Sequence, residues 1–468
     1  MTENNELEVK FWQCAVCGEI VEGIEPPEVC VVCGAGREAF AEYIPENNKT
    51  LIRNTALKVA IIGSGVAAVS AAKAIRARNN KAQIDIYTNE NEFPYNRPLL
   101  TKGLGRDLTK MKFFIENKNF YEENNINFHF NCLVNEIIPN ANSIVVSPNT
   151  SGDDLNVIND NRDTEIVKYG KLLIATGAEA FIPPFQGCDL PEVGVLRKKK
   201  DLNNLYNLLQ TNANSSKKVV IIGGGLLGLE TASALDRMGH QVTVIEACPT
   251  ILPRQLDPEG APILLSAITE NSNVAVKYGI FVNQVHGEDH VRSVETKNGE
   301  IIDCDIVVVS AGNKANYQLA KNANLNTKQA IVVDEFMRTS NKDIYAAGDC
   351  AVFNGRIDGI WETAKDQGEV AGANICGEKI TYQSKPFGAT FRAFKTSLFA
   401  LGDIECGEGS CAIAEVKNEP LKMYNKFFFK NNILVGGILL GNVGKTKELI
   451  KGVTEQIDVE EAKELNLI

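Results

Sequence analysis

Two identical cysteine knuckles near the start of the chain, and two glycine-rich turns each set between a β-strand and a helix, predict an α/β protein in four parts. The knuckles are Cys14-Ala-Val-Cys17-Gly18 and Cys30-Val-Val-Cys33-Gly34. The turns are Gly63-x-Gly65-x-x-Ala68 and Gly223-x-Gly225-x-x-Gly228. Together they give a small N-terminal four-cysteine metal domain, two βαβ dinucleotide-binding domains and, from the strand-rich tail, a C-terminal α+β domain. One βαβ pattern occurring twice is an internal duplication.

Each knuckle places two sulfurs on a tight turn, and the glycine after the second cysteine lets backbone amides curl toward sulfur. Two such turns facing each other form a tetrahedral cage of four sulfurs from Cys14, Cys17, Cys30 and Cys33. That cage takes zinc or iron, and the spacing does not choose between them. Disulfides are disfavoured: the polar start MTENNELEVK is not a signal peptide and no run of eighteen apolar residues occurs, so the chain's 12 cysteines fit a reducing compartment. A cytoplasmic location is the expectation.

The 468 residues allow three or four domains, and 44% apolar with 23% charged residues is an ordinary water-soluble composition. A formal charge of −11 argues against nucleic acid or an anionic membrane as partner. Residues 1–45 carry nine glutamates against Lys10 and Arg37, a net of −7. Such a charge suits docking on a basic face, for which the Arg197-Lys-Lys-Lys200 cluster and the Lys-rich C-terminal domain offer themselves; a merely solvated surface is the other reading.

Taken in order, residues 1–45 form the metal domain and residues 46–56 a polar linker. As a coil, the linker would reach roughly 20 Å, leaving the metal domain tethered and mobile. Leu57–Ile62 then reads as a strand, Val66 to about Arg78 as an Ala-rich helix and Ala82–Tyr87 as a second strand. This first dinucleotide domain is expected over 57–195 and 304–382, with a polar hairpin from Ser147 to Lys168. The second is expected over 196–303, with strands Lys217–Ile222 and Gln241–Ile245 around a helix to about Met238. Residues 385–468 form the last domain.

In each glycine turn the first glycine makes the bend and the second lets a pyrophosphate approach the backbone. The small third residue, Ala68 or Gly228, lets helix and strand pack closely. Phosphate then rests on the helix N-terminus. Glu90 and Glu246 stand just past the second strands, where an acid binds ribose hydroxyls. At Glu246 that acid repels a 2′-phosphate and favours NADH over NADPH.

Residues 9–44, with Phe11, Trp12, Phe40 and Tyr43 around the knuckles, resemble the rubredoxin-like domain of rubrerythrins. One departure is Val31, where rubredoxins usually have proline; a structural zinc ribbon therefore stays open. Leu172–Ala178 and Ile344–Asp349, together with the glycine turns, resemble the two-dinucleotide-domain flavoprotein reductases over residues 57–468. The resemblance implies FAD on the first turn, NAD(P)H on the second and Asp349 after Gly348 on the ribityl chain. Phe93–Lys102 looks like the segment over the flavin in rubredoxin, nitrite and ferredoxin reductases. Ile360–Gly368 and Tyr424–Gly441 are similar to the rubredoxin and nitrite reductase branch. Arg97, Pro98, Thr176, Gly177, Gly312 and Trp361 join the implied cofactor-binding residues; Trp361 either packs near the nicotinamide or fills the interdomain core. Lys102 and Glu230 are the implied catalytic pair beside the flavin, although Lys102 also reads as a surface cation.

No cysteine occurs between Gly65 and Lys110, where disulfide reductases of this fold carry their redox thiols. Cys406 and Cys411 read as incidental. The expectation is an NADH-dependent, FAD-containing oxidoreductase that passes single electrons to a fused iron centre held by four cysteines, since flavin converts two-electron into one-electron transfer. By resemblance, the partners are rubrerythrin, rubredoxin or a flavodiiron protein, in peroxide, oxygen or nitric oxide detoxification, and a homodimer is admitted. The alternative is an NADH oxidase or nitrite-reductase-like flavoprotein with zinc in the four-cysteine domain. A scaffold with vestigial nucleotide sites is disfavoured because both turns and both acids are intact.

Overall fold

The computed structural model describes residues 10–16, 18–32, 34–43, 55–149, 164–210, 216–386, 388–405 and 411–468. Cys17, Cys33, all but the last two linker residues, the tip of the 147–168 insertion and Cys406 lie outside the described residues; Cys411 is disulfide-bonded. No helix among the described residues is long and apolar enough to cross a membrane.

The metal domain is a three-stranded antiparallel sheet of Lys10–Cys14, Ile20–Gly23 and Phe40–Tyr43, with Lys10–Cys14 in the middle. Trp12 closes it by donating its indole N–H to the Gly23 carbonyl at 3.0 Å.

The first dinucleotide domain is a five-stranded parallel sheet in the order Ile344–Ala346, Lys171–Ile174, Lys58–Ile62, Gln83–Tyr87, Ile126–His129. Its central strands are continuous apolar runs, as burial on both faces requires. Ser143–Pro148 and Glu165–Lys168 pair antiparallel as the legs of the insertion. Helix Val66–Arg78 lies against helix Trp361–Ile375 at very short range. A Cβ on Gly368 or Gly372 would overlap the backbone carbonyl of Ala67 or Ala71, so only glycine permits this crossing.

The second sheet corrects the expected boundaries. Its order is Val193–Val195, Ile306–Val309, Lys218–Ile222, Gln241–Glu246, Ala275–Tyr278, all parallel. Val193–Val195 and Ile306–Val309 both fall outside the 196–303 segment assigned to it from sequence. The physical reason is burial: Ile306-Val-Val-Val309 is buried at all four positions, and it fills the sheet between its edge strand and Lys218–Ile222. The chain crosses between the two domains through an antiparallel ribbon, Ala178–Ala180 with Asn313–Ala315.

The C-terminal domain is a five-stranded antiparallel sheet carrying helices Thr446–Glu455 and Val459–Glu464. It is tied to the second domain through Lys426, whose ammonium lies 2.7 Å from Asp257 and 3.5 Å from Glu259 and Glu415. Tyr424 donates its hydroxyl to the same Asp257 at 2.7 Å.

Nor is the metal domain a free tethered body in this structure. Its core residues Cys14, Val16, Cys30, Val32, Ala39 and Phe40 are continuous with Phe399, Leu401, Phe427 and Phe429 of the C-terminal sheet. The cluster expected to receive it is engaged elsewhere: Arg197 pairs with Asp349, Lys198 with Glu179 and Lys199 with Glu92.

Burial alone would raise the Asp257 carboxyl, but bonds from Lys426, Tyr424 and the Gly260 amide outweigh it and hold the carboxyl below its ordinary range. Asp257→Asn should lower unfolding free energy by about 2 kcal/mol at neutral pH, because Lys426 loses its nearest counter-charge. A carboxyl whose folded pKa lies below its unfolded value, about 3.9, stabilises fully above that value and loses the contribution as pH falls through the folded one. Urea titrations of both proteins should therefore show the deficit shrinking toward about pH 3; a pH-independent gap would contradict the ionic account.

Candidate functional site

Strand Lys58–Ile62 ends in Gly63, whose φ of +99° is a left-handed conformation and whose missing Cβ avoids the Ala175 carbonyl. Gly65 caps the following helix and has open space around its Cβ position, as a diphosphate on free amides needs. Ala68 is fully buried beneath the turn. A cavity of about 330 Å³ opens here, lined by Gly63, Gly65, Glu90, Arg97, Thr176 and Gly177 among others. Burial would raise the Glu90 carboxyl, but Arg97 at 2.6 Å and the Tyr95 hydroxyl at 2.6 Å hold it below its ordinary value. Asp349 follows Gly348 (φ +82°) and pairs with Arg197 at 2.7 Å.

Arg197 lines both this cavity and the next, an assignment the sequence missed. In sequence Arg197 stood in the basic cluster, and the fold brings it to Asp349. Pro98 stands at the head of the short helix Leu99–Lys102. Trp361 begins helix Trp361–Ile375 and packs on the core of the first domain, away from the linings of both cavities.

The second turn repeats the first. Gly223 has φ +119°, Gly225 caps helix Leu226–Arg237, and a Cβ on Gly228 would overlap the Gly223 carbonyl. Its cavity, about 530 Å³, is lined by Gly223, Gly225, Glu246 and Gly312, and also by Cys248 and Arg254. The Glu246 carboxylate accepts amide bonds from Gly224 at 2.6 Å and Cys248 at 2.7 Å, which fix its direction. Arg254 is the basic residue that the strand-end reading did not place in this cavity.

Between the two turns the elements converge. Glu230, buried on helix Leu226–Arg237, accepts a hydrogen bond from Thr101 at 2.6 Å. Burial drives its carboxyl upward, opposed by the Lys102 ammonium and the Thr101 bond. The Lys102 side chain extends toward the metal domain, its Nζ 3.4 Å from the Cβ position of Gly34. Glu362 is 4% exposed, its Oε2 is 2.9 Å from the Cβ position of Gly18, and its Oε1 has no partner among the described residues. Burial pushes this carboxyl up to about 8, against the pull of Lys365. Lys365 donates to the Gly18 carbonyl at 3.3 Å, Arg392 donates to the Gly34 carbonyl at 3.1 Å, and Lys112 pairs with Glu19. Thr101 lies in Phe93–Lys102, and Glu362 and Lys365 lie in Ile360–Gly368, but the sequence reading gave none of them, nor Arg392, a role of its own.

Within the metal domain the two knuckles are near copies. The Gly18 amide donates to the Cys14 carbonyl at 2.7 Å and the Gly34 amide to the Cys30 carbonyl at 2.9 Å, with φ of +63° and +76° at the two glycines. Cys14 and Cys30 are buried in one cluster with Val16 and Val32. Two buried thiols on equivalent turns fit a soft metal ion, and this donor type serves iron and zinc alike.

Known proteins match in the same segments. The family model described as pyridine nucleotide-disulphide oxidoreductase matches residues 57–368. The rubrerythrin, rubredoxin-like domain matches 12–41, and the rubredoxin NAD+ reductase C-terminal domain matches 389–457. The chain is 31% identical over 338 residues to a rubredoxin-NAD(+) reductase of Pseudomonas putida, covering 70% of this chain and 83% of that protein. It is 28% identical over 413 residues to a nitrite reductase [NAD(P)H] of Bacillus subtilis, covering 88% of this chain and 49% of the relative; the chain thus spans about half the length of that protein. The crystal structure of NADH:rubredoxin oxidoreductase from Clostridium acetobutylicum superposes with a TM-score of 0.69 at 27% identity, covering 86% of this chain and 96% of that one.

The fixed Glu246 carboxylate makes a selectivity prediction. NADH should exceed NADPH in kcat/KM for flavin reduction by at least about tenfold, or ~1.4 kcal/mol. Glu246→Ala should bring the ratio toward parity, since Arg254 then faces a 2′-phosphate without an opposing acid. Equal use of the two nucleotides by the wild-type protein would contradict this role.

Proposed function

Because the chain belongs to the pyridine nucleotide-disulphide oxidoreductase family, we propose that it is an NADH-dependent flavoprotein reductase delivering electrons to its own four-cysteine centre, with iron in that centre, and from there to an external redox protein. The observation that carries this reading is the meeting of both knuckle glycines with the catalytic side of the body: Gly34 against Lys102, and Gly18 against Glu362 and Lys365.

Gly63, Gly65 and Glu90, with Asp349 behind Arg197, would hold FAD on the first turn, where it would supply the conversion between a hydride and two single electrons. Each NADH oxidised to NAD+ and a proton accounts for two one-electron reductions. The residues of the chain do the rest. The second turn with Glu246 orients NADH by its ribose and diphosphate. Lys102, acting on Glu230, places positive charge where electrons arrive, and Thr101 holds the Glu230 carboxylate in position. Helix Trp361–Ile375 presents Lys365 to the Gly18 carbonyl and so fixes the first knuckle. The absence of cysteine from 65–110 removes a thiol relay and supports direct transfer to the metal. For the acceptor we carry over the chemistry of a small redox protein, with rubrerythrin and flavodiiron proteins as the first candidates.

Spectroscopy of purified protein tests this directly. An iron centre in four sulfurs adds red absorption to the flavin yellow and bleaches on NADH addition; a zinc centre adds none, which would overturn the electron-transfer role and leave a flavoprotein oxidase with a structural ribbon. Cys14→Ser should abolish the red band while FAD content is kept. Lys102→Met should slow NADH-dependent flavin reduction by at least about tenfold at unchanged FAD content, on the scale of one lost preorganised charge. A variant that kept the wild-type rate would remove Lys102 from the catalytic pair.

A further inference from the structure

Small carriers joined by a linker are usually pictured as swinging, attracted by charge. The contacts of this metal domain are of another kind. Among the described residues one ion pair runs between it and the body, Lys112–Glu19, with Lys112 half-exposed. Such a pair contributes little in water and is screened by salt. Apolar packing dominates instead. Val16, Ala35, Ala39 and Phe40 share one buried cluster with Phe399 and the C-terminal sheet, with Val443 packed against it, and the cavity between Val16, Ala35, Phe399 and Val443 measures about 10 Å³. Phe40 and Ala39 are each 1% exposed, burial that a domain this small gains by using a neighbour's surface as part of its own core. Hydrogen bonds complete the fit at both knuckles: Lys365 to the Gly18 carbonyl and Arg392 to the Gly34 carbonyl.

We infer that the four-cysteine domain is permanently seated in cis on its own flavoprotein body, held by this apolar seam rather than by charge. The knuckle glycines face the catalytic side, while Ala15 and Val31 of the same two knuckles remain exposed. The centre is thereby filled from one side and emptied from the other without leaving its seat. The seat on the C-terminal sheet is closed to any second carrier of the same type. This inference rests on the proposed function for its electron traffic, but the seat itself is a matter of contacts.

Carbodiimide treatment of the full-length, metal-loaded protein, followed by peptide mass spectrometry on mixed isotopically light and heavy chains, reads the pose without reference to activity. A Lys112–Glu19 cross-link within single chains is expected; a link formed only between light and heavy chains, or none, would overturn the cis seat. Stopped-flow reduction of the metal by NADH should change less than about twofold from low to high salt, since buried apolar contact is not screened. A slowing of more than about fivefold with a constant flavin phase would favour transient electrostatic docking instead. Val443→Glu places a charge in the seam and changes no residue of the knuckles or the dinucleotide turns. It should retain the metal absorption and the flavin step, lose the cross-link and slow metal reduction by about tenfold; wild-type behaviour in all four readings would reject the seam. A wild-type protein without any metal absorption, by contrast, rejects the proposed function, and the cross-link alone then decides whether the seat exists.

Discussion

The contact between helices Val66–Arg78 and Trp361–Ile375 sets the position of nearly everything else. Ala67 and Ala71 on one helix face Gly368 and Gly372 on the other, and no larger residue fits at the two glycines. The first helix starts at the glycine turn proposed to hold the diphosphate; the second begins with Trp361 and projects Glu362 and Lys365 at the first knuckle. Backbones in direct contact leave little room for sliding, because a packed interior transmits displacement rather than absorbing it. The placement of the first glycine turn relative to the metal domain thus depends on the meeting of four small residues.

Against that rigid frame, the buried charges are arranged in opposition. Glu230 and Glu362 are carboxylates in places that disfavour ionisation, and each has a lysine within reach, Lys102 and Lys365. A buried acid with an imperfect counter-ion is expensive to keep, and such groups concentrate where charge arrives or leaves during a reaction. Lys102 borders Gly34, and Glu362 and Lys365 border Gly18, where the knuckles offer carbonyls and bare backbone instead of side chains. A Cβ at Gly18 would meet the Glu362 carboxylate at 2.9 Å, whereas one at Gly34 would only touch the end of Lys102.

What the sequence disclosed, and what it withheld, follows from the range of the interactions involved. Cys-x-x-Cys-Gly and the glycine turns are local devices: spacing within five or six residues determines the backbone, so knuckles and turns could be read in place. Glu90 and Glu246 are nearly as local, at the ends of strands that the turns already define. Arg197, Arg254 and Thr101 were missed because their partners lie at Asp349, near Glu246 and at Glu230, brought close only by the sheet order. The boundary at 304 failed for the same reason. Ile306–Val309 looks like any buried strand, and its membership in the second sheet depends on a ribbon with Ala178–Ala180 more than 120 residues earlier. Electrostatic docking on Arg197–Lys200 was inferred from net charge, which does not reveal that Arg197, Lys198 and Lys199 already have acidic partners.

Fusion changes what the docking surface has to achieve. For separate proteins, association must overcome lost translational freedom, and a carrier must also leave quickly, so the interface stays small and charged. Once the carrier is part of the chain, the effective concentration is high without any favourable contact. Release is no longer needed either, provided the centre has a second exposed side. Apolar packing can then take the place of charge, and the small domain gains buried surface, since its three short strands enclose little core of their own. The continuity of Phe40 with Phe399 and Phe427 fits that economy: the face between the small domain and the C-terminal sheet belongs to one hydrophobic core.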